Sequence, residues 1–233
     1  MHRAMCLLGI ALLLSLALSA ISGQVSARPT VAVTAPDDDA DDEITQLQPS
    51  YSGLVTDPWG FRVQLDAGLV GHLNGMQGTQ GHGMWVPVET LGDTLLASIE
   101  FFAAYNSTLE GNPACLAKGM LDKSEAVLES GPVSLGGFDG WQVLTKAVKG
   151  DVEWRSESLS FLRFMDMDGK INATHYKPEL LKHSFENGCD YEVNPPHLEY
   201  VLTVRARADR FAKARQLFRK TLKSWEFVPT FDR

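Results

Sequence analysis

The chain has 233 residues, with 21 Lys or Arg against 29 Asp or Glu and a formal net charge of −8 at pH 7. This acidic balance argues against a nucleic-acid partner, because binding to phosphates needs a basic face. It also provides no basic patch for anionic lipid. The length suits one domain with a sizeable core.

Residues 1–27 are typical of a secretory signal peptide. A short basic start precedes a nearly uninterrupted apolar run at residues 6–21, and residues 25–27 (Val-Ser-Ala) fit the small-x-small cleavage rule. We place cleavage after Ala27, with Ala20 as a second candidate. The run is shorter than the ~20 apolar residues of a membrane-spanning helix. We therefore expect an exported protein, periplasmic or secreted, without a membrane segment after cleavage; an uncleaved anchor is the alternative.

The next segment, residues 28–50, is strongly acidic. Six carboxylates lie within residues 37–43, and no cation is present there to neutralise them. Such a run repels itself and stays solvated. We predict a disordered acidic linker at 28–50, followed by a single domain at 51–233.

Alternating apolar and polar side chains predict most of the domain as strands. The clearest are residues 94–105 and 197–207, and others are expected at 61–65, 84–88, 133–135, 141–148, 156–167, 171–176 and 224–228. Between the first two of the shorter strands, residues 68–83 contain six glycines and few apolar side chains. We interpret residues 68–83 as a long mobile loop. Residues 178–196 look irregular.

Two helices are predicted. In the first, Asn112 is the N-cap, Pro113 the first residue, and Gly131 with Pro132 the stop; its expected buried stripe is Leu116, Met120, Leu121, Val127 and Leu128. The second is predicted to begin at Asp209, and its stripe is Phe211, Ala214, Phe218, Leu222 and Trp225. Two helices are too few to alternate with every strand. The order therefore indicates an α+β protein, a mainly antiparallel β-sheet flanked by helices.

Parts of this pattern are shared with a known family. The strand at 197–207 leads into the last helix and then into the Ser-Trp-Glu-Phe strand at 224–227, and Leu-Gly-Gly at 135–137 precedes the strand at 141–148. In these features, and in the opening strand at 59–63, the chain resembles the PsbP-like and DcrB-like proteins. The resemblance implies an α/β/α sandwich in an exported, non-enzymatic accessory or binding protein.

Two segments depart from the family pattern, and there we place the partner-binding role. The first is the glycine-rich stretch with its neighbour Trp85, and the second is residues 178–196. The candidate partner-binding residues are Gly71, His72, Gly75, Gly78, His82 and Trp85. The expected partner is an envelope protein or a small ligand.

Cys115 and Cys189 remain after removal of the signal peptide. Two cysteines in an oxidising compartment favour one disulfide, with two separate buried thiols as the alternative. The bridge would close a loop of about 75 residues and contribute about 4 kcal/mol in the chain-entropy model.

The sequence lacks the common motifs of catalysis and metal binding. The sequence has neither Gly-x-Ser-x-Gly nor His-x-x-x-His nor Cys-x-x-Cys, so we predict no catalytic set, no metal site and no cofactor. Two alternatives stay open. One is an envelope hydrolase that uses strand carboxylates, Glu100, Glu153 and Glu157, or a loop-bound metal. The other is a metal carrier that uses His72 and His82.

Overall fold

The computed structural model describes residues 50–74, 81–106, 111–164, 173–189 and 196–230. The predicted signal peptide and nearly all of the acidic linker lie outside these ranges and stay predictions. The strands are β1 Ser50–Tyr51, β2 Leu54–Asp57, β3 Phe61–Gln64, β4 Gly71–Asn74, β5 Gly81–Leu91, β6 Thr94–Asn106, β7 Ala126–Leu135, β8 Phe138–Lys149, β9 Val152–Phe164, β10 His197–Arg207 and β11 Glu226–Phe227. The helices are α1 Pro113–Gly119, α2 Pro178–Asn187 and α3 Phe211–Leu222.

The strands form two antiparallel sheets. The main sheet has eight strands in the order β1-β4-β5-β6-β10-β9-β8-β7, and the small sheet has three in the order β11-β3-β2. The predicted class, an α+β protein with a mainly antiparallel sheet, is therefore confirmed. The strand predicted at 197–207 coincides with β10.

Each face of the main sheet carries its own core. On one face, buried residues such as Phe101 and Tyr200 pack with α3 and the small sheet, and the predicted stripe of Phe211, Ala214, Phe218, Leu222 and Trp225 is buried among them. On the opposite face, Trp141 and Val143 pack with α1 and α2. Helices thus flank both faces, as the fold prediction required.

The first helix is shorter than predicted. Asn112 caps it as expected, since its Oδ1 accepts hydrogen bonds from the amides of Ala114 at 3.0 Å and Cys115 at 3.2 Å. The helix ends at Gly119, however, and residues 126–135 form β7. Two members of the predicted stripe, Val127 and Leu128, are exposed in this strand. This segment is a strand because it pairs with β8, which satisfies its backbone hydrogen bonds. A tight turn at Gly136 and Gly137, with φ of +57° and +84°, joins the two strands.

Four other local predictions are wrong. Residues 71–74 and 81–83, predicted as loop, are strand. Residues 178–187, predicted irregular, are α2; Pro178 suits the first turn of a helix, where its missing N–H costs nothing, and Leu181 is fully buried. Residues 173–176 form no strand. Asp209 does not cap α3, which begins at Phe211 behind Arg210.

A buried arginine joins the small sheet to the main sheet. Nη1 of Arg163 donates hydrogen bonds to the carbonyl of Val228 at 2.7 Å and that of Gly60 at 3.3 Å. Beside it, the Tyr200 hydroxyl donates to the carbonyl of Trp59 at 2.8 Å. Arg163 is 5% exposed. These contacts fix one end of the small sheet, the β2–β3 turn with the end of β11, against β9 and β10.

The burial of Tyr200 predicts a loss of stability in alkaline solution. Burial raises the pKa of its hydroxyl to about 12, although Arg163 partly opposes this effect. Because tyrosine ordinarily has a pKa of about 10, the contribution of neutral Tyr200 is complete below pH 10 and lost as the pH rises through about 12. We expect the free energy of unfolding to fall in this window, and to fall less in Tyr200→Phe. If the free energy of unfolding fell equally steeply with pH in the wild type and in Tyr200→Phe, Tyr200 would not be the cause.

Candidate partner-binding surface

One row of cross-strand neighbours crosses the main sheet on the α1 and α2 side. His72 of β4 lies opposite Trp85 of β5, and Trp85 lies opposite Glu100 of β6. The row continues through Thr203 of β10 to Ser158 of β9. The imidazole and indole centroids are 6.1 Å apart, and the hydroxyls of Thr203 and Ser158 are hydrogen-bonded at 2.9 Å. Side chains in such a row present one continuous strip.

A second aromatic group lies beside this row. The guanidinium of Arg205 sits 5.4 Å from the ring centroid of Trp154, which is a cation–π contact. Arg205 follows Thr203 on the same face of β10, because alternate residues of a strand share a face. We call His72, Trp85, Glu100, Trp154 and Arg205 the Trp85 surface.

The Trp85 surface lies next to the helices of its face. Here α1 packs against β8 and β9, and α2 packs against α1 and β7. Glu100 is exposed, and Trp85, Trp154 and Arg205 are half-buried. Tryptophan and arginine are the residue types that most often carry the binding energy of protein interfaces, because they combine a large contact area with polar groups. This arrangement can hold a partner by contact.

Only some of the predicted partner-binding residues belong to the Trp85 surface. His72 and Trp85 belong to the Trp85 surface. Gly71 is buried, and a Cβ there would lie 2.6 Å from Sδ of Met84, so it serves strand packing. Gly75 and Gly78 lie outside the described residues. His82 is within β5, three residues from the partner of His72, which places it about 10 Å further along the strand.

Sequence reasoning missed Glu100 as a surface residue, and also Trp154 and Arg205. The sequence marks Glu100 only as a candidate strand carboxylate, and nothing in it links Glu100 to Trp154 and Arg205. Their meeting depends on β6, β10 and β9 being neighbours in the main sheet. No local sequence signal reports that order.

The strand carboxylates do not form a catalytic pair. Glu157 is fully buried and accepts hydrogen bonds from Arg215 and Arg219. Glu153 pairs with Arg155 at 2.9 Å. Glu100 lies on the opposite face of the sheet from Glu157, since it shares its row with Ser158. In the described ranges, no group of three His, Cys, Asp or Glu residues is arranged to hold a metal ion.

The predicted disulfide is confirmed. Cys115 at the start of α1 is bonded to Cys189 just beyond α2, with a Cα–Cα distance of 5.8 Å. A cysteine in a disulfide has no thiolate, so Cys115 is not available as a nucleophile. The bridge instead fastens the two helices that border the Trp85 surface.

The fold and this surface together define an α+β protein with a helix-flanked antiparallel sheet and an aromatic and charged face. None of the helices within the described ranges is long and apolar enough to cross a membrane. No protein-family model matches the chain, and no curated protein matches it in sequence.

Among solved structures, the chain is similar to the crystal structure of LpqN, a protein involved in cell envelope biogenesis of Mycobacterium tuberculosis. The sequence identity is 11%, the match covers 80% of this chain and 88% of that chain, and the TM-score is 0.36. At this level the likeness carries no conclusion about function. The PsbP-like and DcrB-like resemblance stays a prediction, and a function has to be inferred from the surface itself.

Proposed function

We propose that this protein is an exported accessory protein of the cell envelope that binds a partner protein through the Trp85 surface. The observation that carries the proposal is the row of His72, Trp85 and Glu100, which sets half-buried and exposed side chains next to each other on a rigid sheet. The neighbouring contact between Arg205 and Trp154 extends it. Side chains fixed by a sheet lose little conformational entropy when they bind.

The glycine-rich stretch acts in this proposal as part of the sheet. Residues 71–74 and 81–83 make ladder hydrogen bonds in β4 and β5. Deleting residues 71–83 would therefore remove β4 and shorten β5, and a loss of binding would then report misfolding. Point substitutions are needed to test the surface.

We expect Trp85→Ala to weaken partner binding at least about 30-fold, which is the loss typical of a central interface tryptophan. The measurement is capture of envelope proteins on the tagged protein after mild cross-linking, with quantitative mass spectrometry. One envelope protein should be enriched with the wild type and lost with Trp85→Ala and with Arg205→Ala.

The matched control is Leu54→Ala. Leu54 lies on the small sheet and is 61% exposed, so this variant removes a comparable apolar group away from the Trp85 surface. It should capture the partner as well as the wild type does. Equal enrichment by Trp85→Ala and the wild type, with both proteins folded by circular dichroism, would refute the surface assignment.

A further inference from the structure

A groove of about 630 Å³ lies on the other face of the main sheet, beside α3. Its lining includes Leu144, Arg155, Phe211, Ala212, Arg215 and Arg219. It is independent of the Trp85 surface, because Arg155 and Leu144 point to the face that α3 covers. The volume falls in the range of small-ligand sites.

Two of the lining arginines are held by one buried carboxylate. Arg215 donates to both oxygens of Glu157, from Nε at 3.1 Å and from Nη2 at 3.0 Å. Arg219 donates from Nε at 3.2 Å and from Nη2, which also donates to Oε1 of Gln142 at 2.7 Å. Glu157 is fully buried, whereas each arginine side chain is 38% exposed. Glu157 thus orients two guanidinium groups whose outer edges face the groove.

Arg215 and Arg219 provide the groove with hydrogen-bond donors and positive charge. The contacts of Arg215 and Arg219 within the described residues use Nε and Nη2, and a guanidinium has five N–H donors, so the Nη1 groups of both remain for another acceptor. Hydrogen bonding to Glu157 also raises the pKa of Arg215.

The charges at the groove leave an excess of one positive charge. Three positive charges, those of Arg155, Arg215 and Arg219, are opposed by two negative charges, those of Glu157 and of Glu153, which pairs with Arg155. Two further groups offset each other: Lys146, the cross-strand neighbour of Arg155, and Glu129, which interacts with Arg215. One surplus positive charge suits a monoanion, and a guanidinium edge suits the two oxygens of a carboxylate.

Apart from Gln216, the rest of the lining is apolar. Leu144, Phe211 and Ala212 contribute this apolar part. A ligand that fills the groove therefore needs an apolar body next to its anionic group.

We propose that this groove binds a small organic carboxylate, whose oxygens accept from Arg215, Arg219 and Arg155 while its apolar body lies against Leu144 and Phe211. This site goes beyond the proposed partner contact, and it uses the opposite face of the sheet. It assigns a role to Glu157, which positions the guanidinium groups without contacting the ligand.

The test is titration of the purified, isotope-labelled protein with hexanoate at low ionic strength, followed by amide NMR. Hexanoate should cause saturable shifts in α3 and in β8, and hexanamide, its neutral analogue, should not. Arg155→Met should weaken the hexanoate affinity about tenfold, the size expected for one charge-assisted contact. Arg155 does not touch Glu157 in the described contacts, so the variant spares the buried cluster.

The matched control is Arg62→Met, which removes the same charge from an exposed ion pair with Glu226 on the small sheet. Its hexanoate affinity should equal that of the wild type. Absent shifts in α3, equal binding of hexanamide, or an unchanged affinity in Arg155→Met would each overturn the proposal. So would saturable binding of inorganic phosphate without binding of hexanoate, since it would assign the groove to another anion.

Discussion

Replacing Arg163 by Met is expected to lower the free energy of unfolding by about 3 kcal/mol, because truncating one member of a buried polar network leaves its partners uncompensated. The affected partners are the carbonyls of Gly60 and Val228, to which Arg163 donates. Asp57, a carboxylate that is 5% exposed, lies in the same network around Tyr200. Met is similar in length, so the variant removes the charge and the donors with little change in volume.

The measurement is urea denaturation at neutral pH, with Arg62→Met as the control. Arg62 pairs with Glu226 at the surface, with both side chains at least 40% exposed, and such pairs contribute about 1 kcal/mol or less. A second readout distinguishes loss of the charge from general damage. Arg163 lowers the pKa of Tyr200, so the alkaline ionisation of Tyr200 should move to higher pH in Arg163→Met. A loss of stability no larger than that of Arg62→Met would contradict the network assignment.

Strands and the last helix were predictable because their burial follows a simple period. In β10, alternate residues from Leu198 to Ala206 face one core, and in α3 the buried residues recur at steps of three and four. The period of two for a strand and 3.6 for a helix follows from backbone geometry alone. The sequence alone therefore predicts an element correctly where one of its faces is continuously apolar.

The sequence-based prediction failed where one segment fits both the helical and the strand period. Val127 and Leu128 continue the helical spacing of Leu116, Met120 and Leu121, yet they belong to β7. The hairpin with β8 decides the outcome, since it satisfies the backbone of the whole segment through tertiary pairing. For α2, Pro178 is the one start signal, since the N-cap residue Lys177 makes no side-chain cap hydrogen bond. The burial of α2 depends on its contact with α1.

In the candidate site, too, some residues are marked by local sequence and others only by tertiary pairing. His72 and Trp85 were singled out because they lie within and just beyond a distinctive glycine-rich segment. Trp154 and Arg205 are 51 residues apart in the sequence, and their contact follows from the pairing of β9 with β10. The burial of Glu157 and Arg163 is also a tertiary property, because in sequence each is one charged residue in a strand.

Removing the disulfide is the second change with a large expected effect. The double variant Cys115→Ser and Cys189→Ser should lose about 4 kcal/mol in the free energy of unfolding, because the bridge spans 74 residues and restricts the unfolded chain. The serine hydroxyls are close in size to the thiols, so packing in the folded state changes little.

The effect should be concentrated in α1 and α2. Their remaining link includes the hydrogen bond from Nδ2 of Asn112 to Oγ of Ser184 at 2.8 Å and the burial of Leu181. Hydrogen exchange should therefore accelerate more in α2 than in α3, which packs on the other face of the main sheet. Unfolding in urea with and without reductant gives the control, because reductant should destabilise the wild type and leave the double variant unchanged. Equal stability of the wild type and the double variant, with unchanged exchange in α2, would mean that packing alone holds α2.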